Sequence, residues 1–149
     1  MYLVDTNVLS AVAPTKAVPL QALQEWMERN SPGLYLSVIT VAELEDGIAR
    51  SRRTGAHAKA KRLADWLEAV LHLYGSRIIP IDILTARQIG SLADHARGQG
   101  RDPGLADLAI AATAAVRGYV VLTRNLRHFA PLEVAVHNPF DTLPEDVRL

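Results

Sequence analysis

Three carboxylates stand where side chains could be brought to bear on a substrate. Asp5 directly follows the apolar run Tyr2-Leu3-Val4, Glu43 lies within Thr40-Val41-Ala42-Glu43-Leu44, and Asp107 lies within the alanine-rich stretch from Gly104 to Ala112. In open parallel sheets, functional groups collect beyond the carboxyl ends of the strands, where loops and helix N-termini meet around a crevice. Three acids gathered there cannot all stay ionised without a compensating proton or cation. Oxygen-only donors suit a hard divalent ion, Mg2+ or Mn2+, which keeps several waters and binds through one or two carboxylates together with substrate phosphate. The chemistry such a set supports is metal-assisted hydrolysis of a phosphodiester bond.

Each acid also has a purely local use. Asp5 can cap a following helix by accepting from its free backbone N–H groups. Thr40 and Glu43 fit the spacing of a capping box, with Glu43 reaching back to the Thr40 amide. Asp107, early in a helix, is stabilised by the helix dipole whether or not it does chemistry. Acids cannot attract a polyanion, so a phosphodiester substrate needs a basic counterpart; Arg50, Arg52, Arg53, Lys59, Lys61 and Arg62 cluster around Thr54-Gly55 and are candidates for binding RNA, or else form a solvated helix face.

The elements that must position these groups alternate. Strand-length apolar runs occur at Tyr2-Val4, Leu34-Ser37, Arg77-Ile81, Tyr119-Leu122 and Glu133-His137, and several are rich in Val and Ile. Helical periodicity occupies Gln21 to Arg29, Val41 to Ser51, Ala56 to Leu73, Ile83 to Arg97 and Leu105 to Arg117. In the third of these, Leu63, Trp66, Leu67, Val70, Leu71 and Tyr74 make one apolar stripe. Strands alternating with helices call for parallel crossovers, hence an α/β fold: a three-layer α/β/α sandwich around a central, mostly parallel five-stranded sheet. Asp102-Pro103 reads as a helix start and Gly118 as its stop, while Thr54-Gly55 and Gly98-Gln99-Gly100 are breaks.

The 149 residues give one domain, 1–149, with a C-terminal tail from about 138 expected to lie on the surface. Apolar residues at 49% and charged residues at 21% exclude wholesale disorder, and 16 basic against 16 acidic side chains exclude a global positive field, so any nucleic-acid binding needs a local patch. With no cysteine there is neither a thiolate nucleophile nor a thiolate metal ligand. The N-terminus lacks the basic, then apolar, pattern of a signal peptide, and the most apolar stretch falls far short of the roughly 20 residues that span a membrane. A cytoplasmic protein without membrane contact is expected. The glycine-rich phosphate loops of nucleotide-binding proteins are absent, and the acidic pair of a phosphoacceptor domain is missing beside Asp5.

Taken together, Asp5-Thr6-Asn7-Val8-Leu9-Ser10, Thr40-Val41-Ala42-Glu43-Leu44 with Gly47-Ile48, Asp107-Leu108-Ala109-Ile110-Ala111-Ala112 and Leu122-Thr123-Arg124-Asn125 resemble, in order and spacing, the PIN-domain ribonucleases, and more narrowly the VapC toxins of toxin–antitoxin pairs. The resemblance runs from Met1 to about Phe140. It implies that Asp5 and Asp107 bind the divalent metal, that Glu43 completes the acidic catalytic set, and that Asn7, Thr123 and Asn125 shape the site. It implies an Mg2+- or Mn2+-dependent endoribonuclease that hydrolyses RNA with metal-activated water. It also implies a homodimer, a VapB-like antitoxin held in a groove over the site, and operator DNA reached only through that antitoxin; Val8, Leu9, Val12, Leu44 and Ile48 are candidates to line the groove. Many relatives place a further acid before the phenylalanine of Thr-Arg-Asn-x-x-Asp-Phe, where this chain has His128. A hard ion favours oxygen, so His128 reads as a surface histidine or RNA contact rather than a ligand. The departure leaves an alternative open, a catalytically weakened PIN-fold module that binds RNA or protein.

Overall fold

The computed structural model describes residues 1–148; Leu149, the last residue of the expected tail, lies outside the described residues. Five strands, β1 (Tyr2–Val4), β2 (Leu34–Ser37), β3 (Ile78–Ile79), β4 (Val120–Leu122) and β5 (Val136–His137), form one sheet in the order β3-β2-β1-β4-β5. Every pairing is parallel. The edge strands are shorter than their apolar runs because Pro80 has no N–H to donate beyond β3, and Glu133, in a left-handed conformation at φ 52°, turns the chain before β5.

Side chains alternate across the sheet as strand geometry requires. Val4, Leu34, Leu36 and Leu122 enter one core with α1 (Thr6–Ala11), α2 (Gln21–Arg29), α3 (Val38–Arg53) and α4 (His57–Tyr74). Leu3 and Val121 enter the other core with α5 (Ile83–Gly98), α6 (Leu105–Arg117) and α7 (Leu126–Phe129). The result is the expected three-layer sandwich. The α4 stripe lands as its spacing demands, with Leu67, Val70 and Tyr74 buried and Leu63, Trp66 and Leu71 packed at the margin.

Two helix starts differ from the sequence reading. α3 opens at Val38, ahead of the expected Val41, because the Ser37 hydroxyl accepts from the Ile39 amide at 3.1 Å and caps the helix; the β-branched run Val38-Ile39-Thr40-Val41 had disguised it. Thr40 is therefore already inside the helix, and the capping box with Glu43 does not form. α6 starts at Leu105 with Gly104 as its N-cap, so Asp102-Pro103 precedes the helix instead of capping it. Gly118 ends α6 in the left-handed conformation, φ 69°, which only glycine adopts at little cost.

Hydrogen bonds hold the tail to the rest of the domain. The Tyr2 hydroxyl donates to the Glu145 carbonyl at 3.0 Å, the Asn30 amide donates to Asp146 at 2.8 Å, and Asn30 accepts from the Val147 amide at 2.7 Å. A Cβ on Gly33 would overlap the Val147 side chain, so this close approach requires glycine. Among the described residues no helix is long and apolar enough to cross a membrane.

Candidate active site

The strand order reverses direction between β1 and β4, and there the acids are found. Such a switch point opens a crevice because the crossovers on its two sides diverge. Val4 pairs with Leu122, which puts Asp5 at the end of β1 and Thr123 at the end of β4 side by side. The Asp5 amide donates to the Leu122 carbonyl at 3.0 Å, continuing the ladder by one bond before α1 turns away.

Asp5 is only 4% exposed, and its carboxylate is clamped. Oδ1 accepts from the Thr6 amide at 2.8 Å; Oδ2 accepts from the Asn7 side-chain amide at 2.7 Å and from the Thr123 hydroxyl at 2.8 Å. A carboxylate offers about four lone-pair directions, so three donors leave one open, on Oδ1. Burial raises the Asp5 pKa above the ordinary carboxylate value; the bonds from Thr123 and Thr6 oppose this, and the charges of Asp107 and Glu43 add to it. Both other acids therefore stand close enough for Asp5 to feel them.

The clamp is itself supported. Asn7 accepts from the Arg124 amide at 3.0 Å, which fixes the sense of its side-chain amide so that the NH2 faces Asp5. Thr123 accepts from the Asn125 amide at 3.0 Å, leaving its own proton for Asp5. Asn7 and Thr123 thus sit where the sequence reading placed supporting residues. Asn125 is exposed and participates through its backbone; among the described residues its side chain joins no acid.

Glu43 is exposed on α3, and its Oε1 accepts a short bond, 2.6 Å, from the Thr6 hydroxyl. Thr40, one helical turn earlier, lies 3.4 Å from the same hydroxyl. Asp107, partly exposed in the first turn of α6, has its Oδ2 at 3.0 Å from Nδ1 of His128 on α7. Thr6 and His128 are the two residues whose roles the sequence reading missed. Thr6 follows a motif aspartate, which was the available signal; nothing local could show that His128 meets Asp107.

Each acid is therefore occupied by a neighbour of its own, and among the described residues no group of three or more His, Cys, Asp or Glu side chains is assembled to hold a metal ion. Asp5 keeps one lone pair open and feels the charges of Asp107 and Glu43, while Asp107 keeps one oxygen that His128 does not engage. That donor set fits a hydrated hard dication held through one or two carboxylates and does not make a closed three-acid cage.

A cleft of about 320 Å³ opens beside Glu43 and Thr6, between α1, α3 and α4, with Leu44, Ile48, Leu63 and Trp66 among its apolar walls and Arg50 and Lys59 on its rim. Of the residues expected to line a partner groove, Leu44 and Ile48 line this cleft. Val8 and Leu9 are buried in the core and Val12 packs against it, because α1 turns its apolar side to the sheet. The basic cluster is only partly available: Arg50 pairs with Asp46 and Lys61 with Asp65, both at 2.9 Å, and Arg62 donates to the Pro14 carbonyl at 2.8 Å. Lys59, Arg52 and Arg53 are exposed and make no ion pair among the described residues.

The PIN-domain family model matches residues 2–132, and a VapC ribonuclease of Sinorhizobium fredii is 35% identical over 143 residues, 95% of this chain and 99% of that protein. The chain belongs to the PIN-domain family, in its VapC-like branch. Among solved structures, FitAcB from Neisseria gonorrhoeae superposes on this PIN domain with a TM-score of 0.80 at 35% identity, covering 94% of this chain and 99% of that one. DNA-bound VapBC from Salmonella typhimurium superposes with a TM-score of 0.71 at 27% identity, covering 91% and 96%. In this PIN domain, replacing Thr123 by valine keeps the shape but deletes the proton donated to Asp5. The Asp5 pKa then rises further and protons compete harder for the carboxylate; on a metal-binding reading of Asp5, Mn2+ affinity should fall by about 10-fold or more, with the deficit widening as the pH is lowered. Mn2+ titration of both proteins at two pH values checks this; equal affinities would contradict the clamp.

Proposed function

We propose that the chain is a Mg2+- or Mn2+-dependent endoribonuclease, acting as a single domain and as the toxin of a pair with a VapB-like antitoxin. The observation that carries this reading is the buried, three-donor clamp on Asp5 at the switch point, within electrostatic reach of Asp107 and Glu43. Asp5 also caps α1 through the Thr6 amide, but capping does not call for Asp107 and Glu43 within electrostatic reach of a buried carboxylate, and a bound cation would offset that like charge.

Asp5 and Asp107 would hold the ion, which when bound supplies Lewis acidity toward a phosphate oxygen and acidity to a water. Thr6, Asn7 and Thr123 keep Asp5 in one orientation, so that little reorganisation is needed when the ion arrives. Thr6 fixes one oxygen of Glu43, leaving the other to accept a proton from the attacking water and align it with the phosphorus. The cleft beside Glu43, apolar within and basic at its rim, suits an amphipathic antitoxin segment that would cover the same acids. A homodimer, and operator DNA reached through the antitoxin, complete the proposal; the Salmonella relative's DNA-bound structure supports the last point by analogy.

A second reading, a PIN-fold module that binds RNA or protein without cutting, draws on His128, which stands in the place of an acid and meets Asp107. One experiment separates the two. Purified chain, incubated with single-stranded RNA, should cut it with Mg2+ or Mn2+, stop with EDTA, and stop again when the partner encoded beside it is added. RNA binding without cleavage at any metal concentration would favour the second reading.

A further inference from the structure

The sequence points to basic residues on the α3–α4 side, yet two cations on the opposite side of the sheet are better placed to guide a polyanion. Arg101, in the loop before α6, and Arg127, on α7, are exposed and make no ion pair or side-chain hydrogen bond among the described residues. Both line a hollow of about 280 Å³ that also contains Asp107 and His128. Asp102 lines it too, so at this inner end two guanidiniums face two carboxylates. The same two arginines continue into an adjoining hollow of about 310 Å³, walled otherwise by Gln99, Ala130 and Pro131, where they are the only charged side chains. The trough therefore runs from an acidic end, suited to a cation and the phosphate being cut, to an end that carries positive charge alone.

We infer that Arg101 and Arg127 form a phosphate-binding subsite for the RNA strand, taking a backbone phosphate that flanks the one at Asp5 and Asp107. The inference rests on the ribonuclease reading and extends it to the path of the strand. A guanidinium forks onto two phosphate oxygens, and free guanidiniums need not break an existing pair to bind, as Arg50 must with Asp46. In a chain of zero net charge, two guanidiniums that make no ion pair among the described residues, and that are the only charged side chains lining the outer hollow, give that hollow a positive local field. The subsite reads backbone and not bases, so it orients the strand without selecting sequence.

The test is the salt dependence of binding to a short single-stranded oligoribonucleotide, measured in an Asp5→Asn background so that the RNA stays intact. Each phosphate contact contributes about 0.7 to the slope of log affinity against log salt for single strands. Arg101→Ala with Arg127→Ala should lower the slope by about 0.7, the contribution of one phosphate, whereas the paired lysine substitutions should largely retain it. Thermal melts check that these exposed changes leave the fold intact. An unchanged slope in the alanine pair, with a drop on Arg50→Ala and Lys59→Ala instead, would move the strand to the other cleft and overturn the subsite while leaving the ribonuclease reading standing. No RNA binding by the background protein even at low salt would overturn the subsite, while the ribonuclease reading is decided separately by cleavage with the unaltered chain.

Discussion

Asparagine in place of Asp5, or in place of Asp107, should reduce metal-dependent RNA cleavage by about 10³-fold, equivalent to about 4 kcal/mol of lost transition-state stabilisation. The geometry explains why the fold should survive. In Asp5→Asn, the new side-chain carbonyl can still accept from the Thr6 amide, and the Thr123 hydroxyl can turn to accept from the new NH2. The Asn7 NH2 is then left facing another donor, a local cost opposed by removal of a buried charge that Asp107 and Glu43 repel. A second readout does not depend on turnover. Mn2+ at 100 times its dissociation constant should stabilise the wild-type chain by about 2.7 kcal/mol, seen as a rise in Tm, and this rise should vanish in either variant. Full cleavage by both variants would end the assignment of these acids as metal anchors.

The second large effect concerns stability. Phe129→Ala should cost about 3–5 kcal/mol, a substantial fraction of the 5–15 kcal/mol by which ordinary domains are stable. Phe129 is fully buried in the core that contains Leu3, Leu108, Ile110, Val121 and Leu132. α7 has only four residues, far too few to hold a helix by its own hydrogen bonds, so this ring is what pins it to the sheet. Since His128 precedes Phe129, its 3.0 Å approach to Asp107 depends on that anchor. Urea unfolding measures the loss; Phe129→Leu, which keeps much of the apolar volume, should lose far less. A deficit under about 1 kcal/mol for alanine would mean that the core closes over the gap.

Much of the scaffold was legible because its signals are local and repeat. Alternating apolar strands, the α4 stripe and the α6 stretch from Leu105 to Gly118 follow from side-chain periodicity and from glycine's freedom at positive φ. α1 and α7, at six and four residues, contain too few turns to show a period. α3 began early because a β-branched run continued β2 in pattern while Ser37 supplied a cap in space.

The sequence by itself determined the layers of the sandwich, the strand-end position of Asp5 and the helix positions of Glu43 and Asp107, since each depends on residues only a few places away. Tertiary structure alone decided what those acids do with their oxygens. Thr6 reaches Glu43 across 37 positions, His128 reaches Asp107 across 21, and Thr123 reaches Asp5 across 118. A hydrogen bond is formed or lost within a few tenths of an ångström, and distances that fine are set by how helices and strands pack against one another, which local spacing does not encode.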